Sequence, residues 1–406
     1  MDWIGCVSHQ AREIHMRRTF TFAAAALAFS AAACVPPEPS TPEFERPREQ
    51  TCVARGIVGT ASEAYCWGRN DAGQAVPGAP DAVTSPTTVD PLINPAAPSS
   101  GGGHSCAIDH TAAPGGGVPV TPRVTCWGRN DHGQLGPDLA IGTDGVGRLA
   151  IQATSVAAGA SHSCALATDA TVWCWGSNAY GQIGSAATAD QSTPVQVPGL
   201  TGVTRVVAGS DVTCAIAAGA PKCWGRNADG ELGIGTADSD VHPTPTAPLG
   251  LSTASQISAG WRTVCAVSAG AGWCWGDDSF NKLANTGVGA SSATPVPVSL
   301  SGVALTWIAV GHDHACAAGV PSGASDSVGY CWGRNNVGQL GSAPSAPLAP
   351  TQVEGVVGAL RVVPFDRHSC ALTAAKVFCF GHNTQGQLGD GTTTSSWSPV
   401  EVVLPS

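Results

Sequence analysis

Short runs rich in β-branched residues recur along the chain, and turn residues bound each of them. Two examples are Thr204–Ala208, with the sequence TRVVA, and Thr193–Val197, with the sequence TPVQV. Runs of this length and composition predict β-strands. The chain also contains 51 Gly and 30 Pro, which favour turns and disfavour long helices. The pattern therefore predicts an all-β fold.

One motif recurs seven times, at intervals of about 50 residues. Its copies are CWGRNDAGQ from Cys66, CWGRNDHGQLG from Cys126, CWGSNAYGQIG from Cys174, CWGRNADGELG from Cys223, CWGDDSFNKLA from Cys274, CWGRNNVGQLG from Cys331 and CFGHNTQGQLG from Cys379. A partner cysteine precedes each copy, and in five repeats a glycine stands five residues before that cysteine: Gly101, Gly159, Gly209, Gly260 and Gly311. Seven units of a few strands, none able to bury both faces alone, predict a β-propeller.

The chain has 16 cysteines but only two methionines. Two of the cysteines, Cys6 and Cys34, precede the repeats, and the others make one pair for each repeat. Inward pairing of the strands at Cys214 and Cys223 leaves Ala218-Gly219 as a two-residue hairpin turn, and opposed residues there lie close enough for a bridge. Because no CxxC motif occurs, we expect structural disulfides rather than metal ligands. The predicted pairs are Cys52–Cys66, Cys106–Cys126, Cys164–Cys174, Cys214–Cys223, Cys265–Cys274, Cys316–Cys331 and Cys370–Cys379.

The N-terminal region has the features of an export signal. Met16-Arg17-Arg18 precedes an apolar stretch of about 14 residues, Phe20–Ala33, which is too short to span a bilayer comfortably. The small residues before Cys34 resemble the lipobox of bacterial lipoproteins, in which the cysteine is acylated. We predict that residues 1–15 lie upstream of the true start, 16–33 are the signal peptide, 34–50 are a Pro-rich tether after lipidated Cys34, and 51–406 are the propeller. The alternative is an ordinary cleaved signal, and both the Sec and the Tat routes remain open.

The repeat resembles that of the regulator of chromosome condensation family. The resemblance rests on G-x-x-H-x-C-A-L followed by C-W-G-x-N-x-x-G-Q-L-G, and it covers about Cys52 to Pro405. It implies a seven-bladed β-propeller with four-stranded blades. The first repeat lacks a leading PVxV strand, whereas the chain ends in such a strand at Ser398–Val403. We therefore expect the C-terminal strand to pair into the first blade and close the ring.

Charge narrows the possible partners. A formal net charge of −10 argues against a general nucleic-acid binder, which needs clustered Lys and Arg. Members of the resembled family include a nuclear exchange factor for a small GTPase and a secreted bacterial enzyme inhibitor. An exported, acidic, disulfide-paired chain fits the compartment of the second.

Histidines recur two residues before the first cysteine of four repeats, at His104, His162, His314 and His368. Ligands repeated once per blade would lie too far apart to share an ion, so we interpret them as structural side chains that bond within their own blade. No catalytic, cofactor-binding or metal-ligating residue is predicted. The fifth repeat departs from the motif at Gly260-Trp261-Arg262-Thr263 and at Asp277–Lys282. Trp and Arg in loops anchor protein interfaces, so the predicted partner-binding residues are Trp261, Arg262, Phe280 and Trp397.

These features together predict a non-enzymatic interaction module. It would be a monomeric lipoprotein of the outer membrane or cell surface, or periplasmic or secreted without acylation, and its propeller face would bind an unidentified protein or glycan of the envelope or exterior. The alternatives are a cell-envelope hydrolase or lyase with active-site residues on propeller loops, and a structural envelope component. Two clustered carboxylates, or a carboxylate with a His, in the central cleft would favour the enzyme.

Overall fold

The computed structural model describes residues 49–55, 63–90, 92, 95–110, 122–285 and 289–405, all within one compact unit, Glu45–Ser406. Cys34 and the predicted signal peptide, like nearly all of the predicted tether, lie outside the described residues. Among the residues described, no helix has both the length and the apolar character that a membrane span requires.

In the described part of the chain, 26 strands form seven antiparallel sheets, each built from consecutive strands. Each sheet is one blade. Blade 1 contains β1 (Gln50–Arg55), β2 (Glu63–Arg69) and β3 (Ala82–Thr88). Blade 2 contains β4 (Ala96–Ser100), β5 (His104–Asp109), β6 (Arg123–Gly128) and β7 (Gly145–Leu149). Blade 3 contains β8 (Ala153–Ala158), β9 (His162–Ala167), β10 (Val172–Gly176) and β11 (Gln191–Gln196). Blade 4 contains β12 (Val203–Ala208), β13 (Val212–Ala217) and β14 (Ala220–Gly225). Blade 5 contains β15 (Gln256–Ala259), β16 (Thr263–Ser268), β17 (Ala271–Asp277) and β18 (Ser291–Pro297). Blade 6 contains β19 (Val303–Val310), β20 (His314–Pro321), β21 (Val328–Asn335) and β22 (Ser345–Val357). Blade 7 contains β23 (Arg361–Pro364), β24 (His368–Leu372), β25 (Val377–Gly381) and β26 (Ser396–Val402).

The predicted all-β, seven-bladed propeller with four-stranded blades is confirmed. The described residues of blade 1 form three strands, and in blade 4 an isolated bridge between Cys223 and Thr246 stands where the other blades have a fourth strand. The one short helix in the described residues is a 3-10 turn, Ser279–Asn281.

The first strands of blades 2 to 7 line the centre of the ring, because β4, β8, β12, β15, β19 and β23 each contact the next in that order. The turn from the first to the second strand and the loop from the third to the fourth strand then lie on one face. We call this the upper face, and its inner turns are residues 101–103, 159–161, 209–211, 260–262, 311–313 and 365–367. The lower face carries the hairpins between the second and third strands.

Backbone hydrogen bonds join the inner turns of successive blades. The second residue of each inner turn donates its backbone N–H to the carbonyl of the first residue in the inner turn of the next blade. The N···O distances are 3.0–3.1 Å, and the bonds run from Gly102 to Gly159, Ala160 to Gly209, Ser210 to Gly260, Trp261 to Gly311 and His312 to Phe365. A Cβ on Gly311 would lie 2.1 Å from the carbonyl oxygen of Phe365. The repeated glycine is therefore required by the close approach of neighbouring blades.

Buried tryptophans also link each blade to the one before it. The six indoles of the Trp-Gly pairs are fully buried. Each donates its Nε1–H to a backbone carbonyl in the upper loop of the preceding blade, as Trp175 does to Gln134 at 2.8 Å and Trp332 does to Lys282 at 2.7 Å. Each indole thus fills the junction between two blades and satisfies a buried carbonyl there.

The expected pairing of the C-terminal strand with the first blade is wrong. β26 pairs with β25, with Cys379 opposite Val400, and is the outer strand of blade 7. This local partner lies one loop away, so pairing with it closes a much shorter loop than pairing with blade 1 would. The ring closes by side-chain packing instead: Trp67 of blade 1 donates to the Gln387 carbonyl of blade 7 at 2.9 Å, and both blades share one hydrophobic cluster.

The seven predicted cysteine pairs are all joined by disulfides in the structure. In each pair the two residues are directly opposed, as Cys214 and Cys223 are, with Cα atoms 4.0–4.2 Å apart. They lie on the second and third strands of blades 2 to 7, and on the corresponding strands β1 and β2 of blade 1. Every disulfide closes a loop within one blade, so these bonds brace hairpins and leave the junctions between blades to packing and hydrogen bonds.

Candidate functional site

The repeated histidines hold neighbouring blades together. His162 Nε2 lies 2.9 Å from Thr213 Oγ1 of the next blade, and the Thr213 hydroxyl donates to the Gln182 carbonyl at 2.8 Å. His104, His314 and His368 make equivalent contacts with Ser163, Ser369 and Thr51. Burial lowers the pKa of His314 and of His368 to about 3. The expectation that these side chains bond within their own blade is wrong, because each imidazole is long enough to reach a Ser or Thr hydroxyl of the next blade.

Blade 5 replaces this arrangement with a buried ion pair. Thr263 stands at the histidine position, and Lys282 stands where other repeats have Gln or Glu. The Lys282 side chain is 1% exposed; its Nζ lies 2.6 Å from Asp277 Oδ2 and donates to the carbonyls of Trp261 and His312. Burial raises the pKa of Asp277, but the Lys282 charge together with hydrogen bonds from Lys282 and Ser279 outweighs it, and the net shift is downward. One ammonium thereby ties together the inner turns of blades 5 and 6.

Backbone strain is concentrated in the upper loops of blade 5. Of the eight non-glycine residues with positive φ in the described ranges, four lie here: Arg262 (55°), Phe280 (64°), Asn281 (62°) and Ala284 (50°). Asn281 stands where all six other repeats have glycine, and Ala284 where five of them do. Strain of this kind persists only where surrounding structure imposes it, and it clusters at functional sites.

The strained loops present an aromatic and charged surface. Trp261 stacks on His312 with ring centroids 4.7 Å apart, and the Arg262 guanidinium lies 5.6 Å from the Trp261 centroid. Phe280 is 38% exposed, and the Arg334 guanidinium lies 4.8 Å from its ring. We call Trp261, Arg262, Phe280, His312, Asp313 and Arg334 the blade 5–6 rim. Three of the four predicted partner-binding residues thus belong to one connected surface.

The fourth predicted residue, Trp397, lies elsewhere. It is 54% exposed on β26, the outer strand of blade 7. The upper loop of blade 6 approaches it closely, because a Cβ on Gly338 would lie 2.4 Å from the Trp397 Cβ. Trp397 is therefore a feature of the outer edge, separate from the blade 5–6 rim.

Two carboxylates with opposite pKa shifts flank His312. His312 Nδ1 lies 2.6 Å from Asp313 Oδ1 and 3.7 Å from Asp366 Oδ1, and Arg334 Nη1 lies 2.8 Å from Asp313 Oδ2. Burial raises the pKa of Asp313, but His312 and Arg334 outweigh it and hold the pKa at about 2. Burial raises the pKa of Asp366 to about 6, and the nearby His312 only partly offsets it. No sequence motif pointed to this group, although its members occupy equivalent turns of adjacent repeats.

The described ranges contain no group of three or more His, Cys, Asp or Glu side chains arranged to hold a metal ion.

Comparison with known proteins identifies the repeat. The regulator of chromosome condensation (RCC1) repeat matches residues 169–216, 223–267 and 375–406, and a second form of the repeat matches residues 153–182. The ultraviolet-B receptor UVR8 of Arabidopsis thaliana is 28% identical over 346 residues, covering 80% of this chain and 73% of the receptor. The human E3 ubiquitin-protein ligase HERC2 is 26% identical over 373 residues, which are 87% of this chain but 7% of the ligase.

Solved structures agree on the fold. Human WBSCR16 superposes with a TM-score of 0.71 at 22% identity, covering 85% of this chain and 95% of that one. Prp20p of Saccharomyces cerevisiae superposes with a TM-score of 0.69 at 19% identity, covering 88% of this chain and 86% of that one. The matched segments, the seven Cys-Trp-Gly or Cys-Phe-Gly motifs and the seven blades show that the chain carries regulator of chromosome condensation (RCC1) repeats arranged as a seven-bladed propeller.

Proposed function

We propose that this protein is a non-enzymatic interaction module of the cell exterior or envelope, lipid-anchored through Cys34, that binds a protein partner at the blade 5–6 rim. The carrying observation is that the rim combines exposed Phe280 and half-buried Trp261 with the concentrated backbone strain of blade 5. Trp and Arg dominate the energetics of protein interfaces when they become desolvated. A loop that tolerates left-handed Arg262 and Phe280 holds these side chains in position before the partner arrives, which lowers the entropic cost of binding.

The compartment is supported by the disulfides and the N-terminal pattern. Seven disulfides are characteristic of oxidising compartments and are rare in the cytosol. The Prp20p structure was described with that protein's binding properties to Gsp1p and histones, so a propeller of this fold can bind proteins. For the present chain the partner would be a protein of the envelope or exterior, and the protein itself would be monomeric.

Site-specific photo-cross-linking in intact cells tests the binding surface. A benzoylphenylalanine at position 280 should give one adduct of defined mass that protease removes. Position 372 is the matched control, because Leu372 is 36% exposed and Phe280 38%, and Leu372 lies at the lower face. Equal adducts from both positions, or no adduct from position 280, would contradict the proposal; a protease-resistant adduct would identify a glycan partner instead.

The anchor has a separate test. Cys34→Ser should release the protein from the membrane fraction and abolish incorporation of a labelled fatty acid, whereas Cys6→Ser should change neither. Retention and labelling of the Cys34→Ser protein would show that another residue carries the lipid.

A second candidate function follows from His312, Asp313 and Asp366. A carboxyl whose pKa lies near 6 beside one that stays ionised resembles the division of acid and base roles in hydrolases. A hydrolase using this group would release reducing sugars or amines from purified cell wall, Asp366→Asn would abolish that release, and Arg262→Gln would preserve it. No release by the wild-type protein, or equal release by Asp366→Asn, would rule this function out.

A further inference from the structure

One repeat position places unusual side chains in the central channel. This position lies on the first strand, four residues before the inner turn begins. It is occupied by Arg205 in blade 4, Trp307 in blade 6 and Arg361 in blade 7. All three lie on first strands, the innermost of each blade. Blades 4 and 6 are separated by blade 5, so a contact between Arg205 and Trp307 runs through the channel.

The three side chains form a stack. The guanidinium carbon of Arg205 lies 5.1 Å from the centroid of the Trp307 ring, and that of Arg361 lies 4.6 Å from it. Arg205 Nε donates to the Ile257 carbonyl of blade 5 at 3.3 Å, which fixes that guanidinium beside the channel wall. Trp307 Nε1–H is buried and has no hydrogen-bond partner among the described residues. Buried donors of this kind are normally satisfied, so the indole leaves one donor for a molecule in the channel.

The stack also lacks a counter-charge. Within the described residues, neither Arg205 nor Arg361 forms an ion pair with a carboxylate. Burial and, after it, the charge of Arg361 lower the pKa of Arg205 to about 10. Two like charges on one ring repel each other, and the cation–π contacts offset only part of that cost. On a chain with a net charge of −10, this part of the channel is a positive site that favours an anion.

We propose that the central channel binds an oxyanion group, a carboxylate, sulfate or phosphate, between Arg205 and Arg361, with Trp307 Nε1–H as a further donor. Guanidinium groups match the geometry of oxyanions and bind them through charge-assisted hydrogen bonds. Arg361 is exposed and gives the anion a route from solvent, while Arg205 holds it deeper in the channel. The site is distinct from the blade 5–6 rim and does not depend on the proposed protein partner.

Thermal unfolding in defined anions tests the proposal. Sulfate and inorganic phosphate should raise the unfolding midpoint of the full-length protein above its value in chloride at equal ionic strength, since a ligand of the folded state stabilises it. Arg361→Gln should lose this difference, and its apparent affinity for phosphate in calorimetric titration should fall at least about tenfold. In chloride alone Arg361→Gln should unfold at a midpoint equal to or above that of the wild type, because the repulsion is gone.

Two variants control the result. Arg262→Gln removes a guanidinium that also lies over a tryptophan, but on the upper rim, and should keep the full phosphate response. By sequence register the blade 1 counterpart of Arg361 is Glu43, which lies outside the described residues. If phosphate stabilised Glu43→Gln but not the wild type, the Glu43 carboxylate would be the anion that fills the site. The proposal of an external ligand would then be wrong. An equal phosphate response in Arg361→Gln would overturn it as well.

Discussion

Single side chains in the inner turns set local electrostatics that the repeat itself does not determine. Asp313 and Asp366 occupy neighbouring turns and both contact His312, yet their pKa values move in opposite directions. The difference arises because Arg334 also pairs with Asp313, whereas Asp366 is 4% exposed and has Glu49 and Asp313 as like charges nearby. At the scale of the residue, each partner decides whether a buried carboxylate stabilises or destabilises the fold.

Asp366→Asn should stabilise the protein at neutral pH. The pKa of Asp366 is about 6 in the folded protein against an ordinary value of 3.8, so above pH 6 folding bears the cost of burying a charge. That difference corresponds to at most about 3 kcal/mol. The gain should be full above pH 6, decline between pH 6 and 3.8, and vanish below 3.8. Urea unfolding across this pH range, without reductant, measures it.

Asp313→Asn supplies the opposite control for this measurement. The pKa of Asp313 is lowered to about 2, so its carboxylate contributes stability that is present above pH 3.8 and lost as pH falls towards 2. The variant should therefore be less stable than wild type at neutral pH. If both substitutions shifted stability in the same direction at pH 7, the assignment of separate environments would fail.

At the scale of the element, each blade is a braced hairpin with flanking strands, and the inner turns set how closely blades approach. The disulfide lies between the second and third strands of blades 2 to 7 and between the corresponding strands β1 and β2 of blade 1, and the turn glycines lie where backbone meets backbone. Stability within a blade and stability between blades therefore depend on different residues.

Gly311→Ala should destabilise the protein by about 2–3 kcal/mol, since its Cβ would meet the Phe365 carbonyl at 2.1 Å and neither backbone can give way cheaply. Gly289→Ala is the control, because nothing lies within 4 Å of the added Cβ. Chemical unfolding of both variants makes the comparison. A neutral effect of Gly311→Ala would mean that the junction between blades 6 and 7 is looser than described.

The length of the loop that each disulfide closes should determine how much that disulfide contributes to the free energy of unfolding. Cys106–Cys126 spans 20 residues of sequence and Cys214–Cys223 spans 9. In the chain-entropy account, replacing the first pair by alanines costs about 0.7 kcal/mol more than replacing the second. Unfolding free energies of the two double variants test this ranking, and alkylation of the unfolded, unreduced wild type should label neither pair.

The repeat predicts the blades and their hairpins but not how the ring closes. Strand content and cysteine pairing follow from local patterns, such as the turn at Ala218-Gly219, so they could be read without the structure. A circular repeat, however, looks the same wherever it is divided. The sequence therefore could not decide whether the strand at Val400 ends the seventh blade or begins the first. The stack at Trp307 was also missed, although the shared offset of its members from the first residue of the inner turn was a usable signal.

At the scale of the whole molecule, the described strands close the ring without exchange between blades. Blade 7 meets blade 1 through the Trp67 indole, the contact of Thr51 with His368, and apolar packing that includes Val400 and Val402. These are the same kinds of contact that join the other blades. The closing junction is thus one of seven similar junctions rather than a specially reinforced one.

Removal of residues 396–406 should loosen blades 7 and 1 selectively. The deletion takes away Val400 and Val402, which pack in the cluster containing Trp67 and Leu388. Hydrogen exchange should accelerate in β1–β3 and β23–β25 while β8–β18 keep their protection. Uniform acceleration around the ring would show instead that the blades unfold as a single cooperative unit.

The order of the disulfides has a consequence for how the protein is made. Each cysteine from Cys52 onward is bonded to its nearest cysteine in the chain, first to second, third to fourth, and so on to Cys379. With Cys6 upstream of the true start and Cys34 acylated, as proposed, a chain that is oxidised as it emerges, N-terminus first, has the correct partner as the only free thiol behind the newest one. Sequential oxidation therefore yields all seven native bonds without any reshuffling. Reoxidation of the complete reduced chain must choose among a very large number of pairings, and we expect it to require a disulfide isomerase.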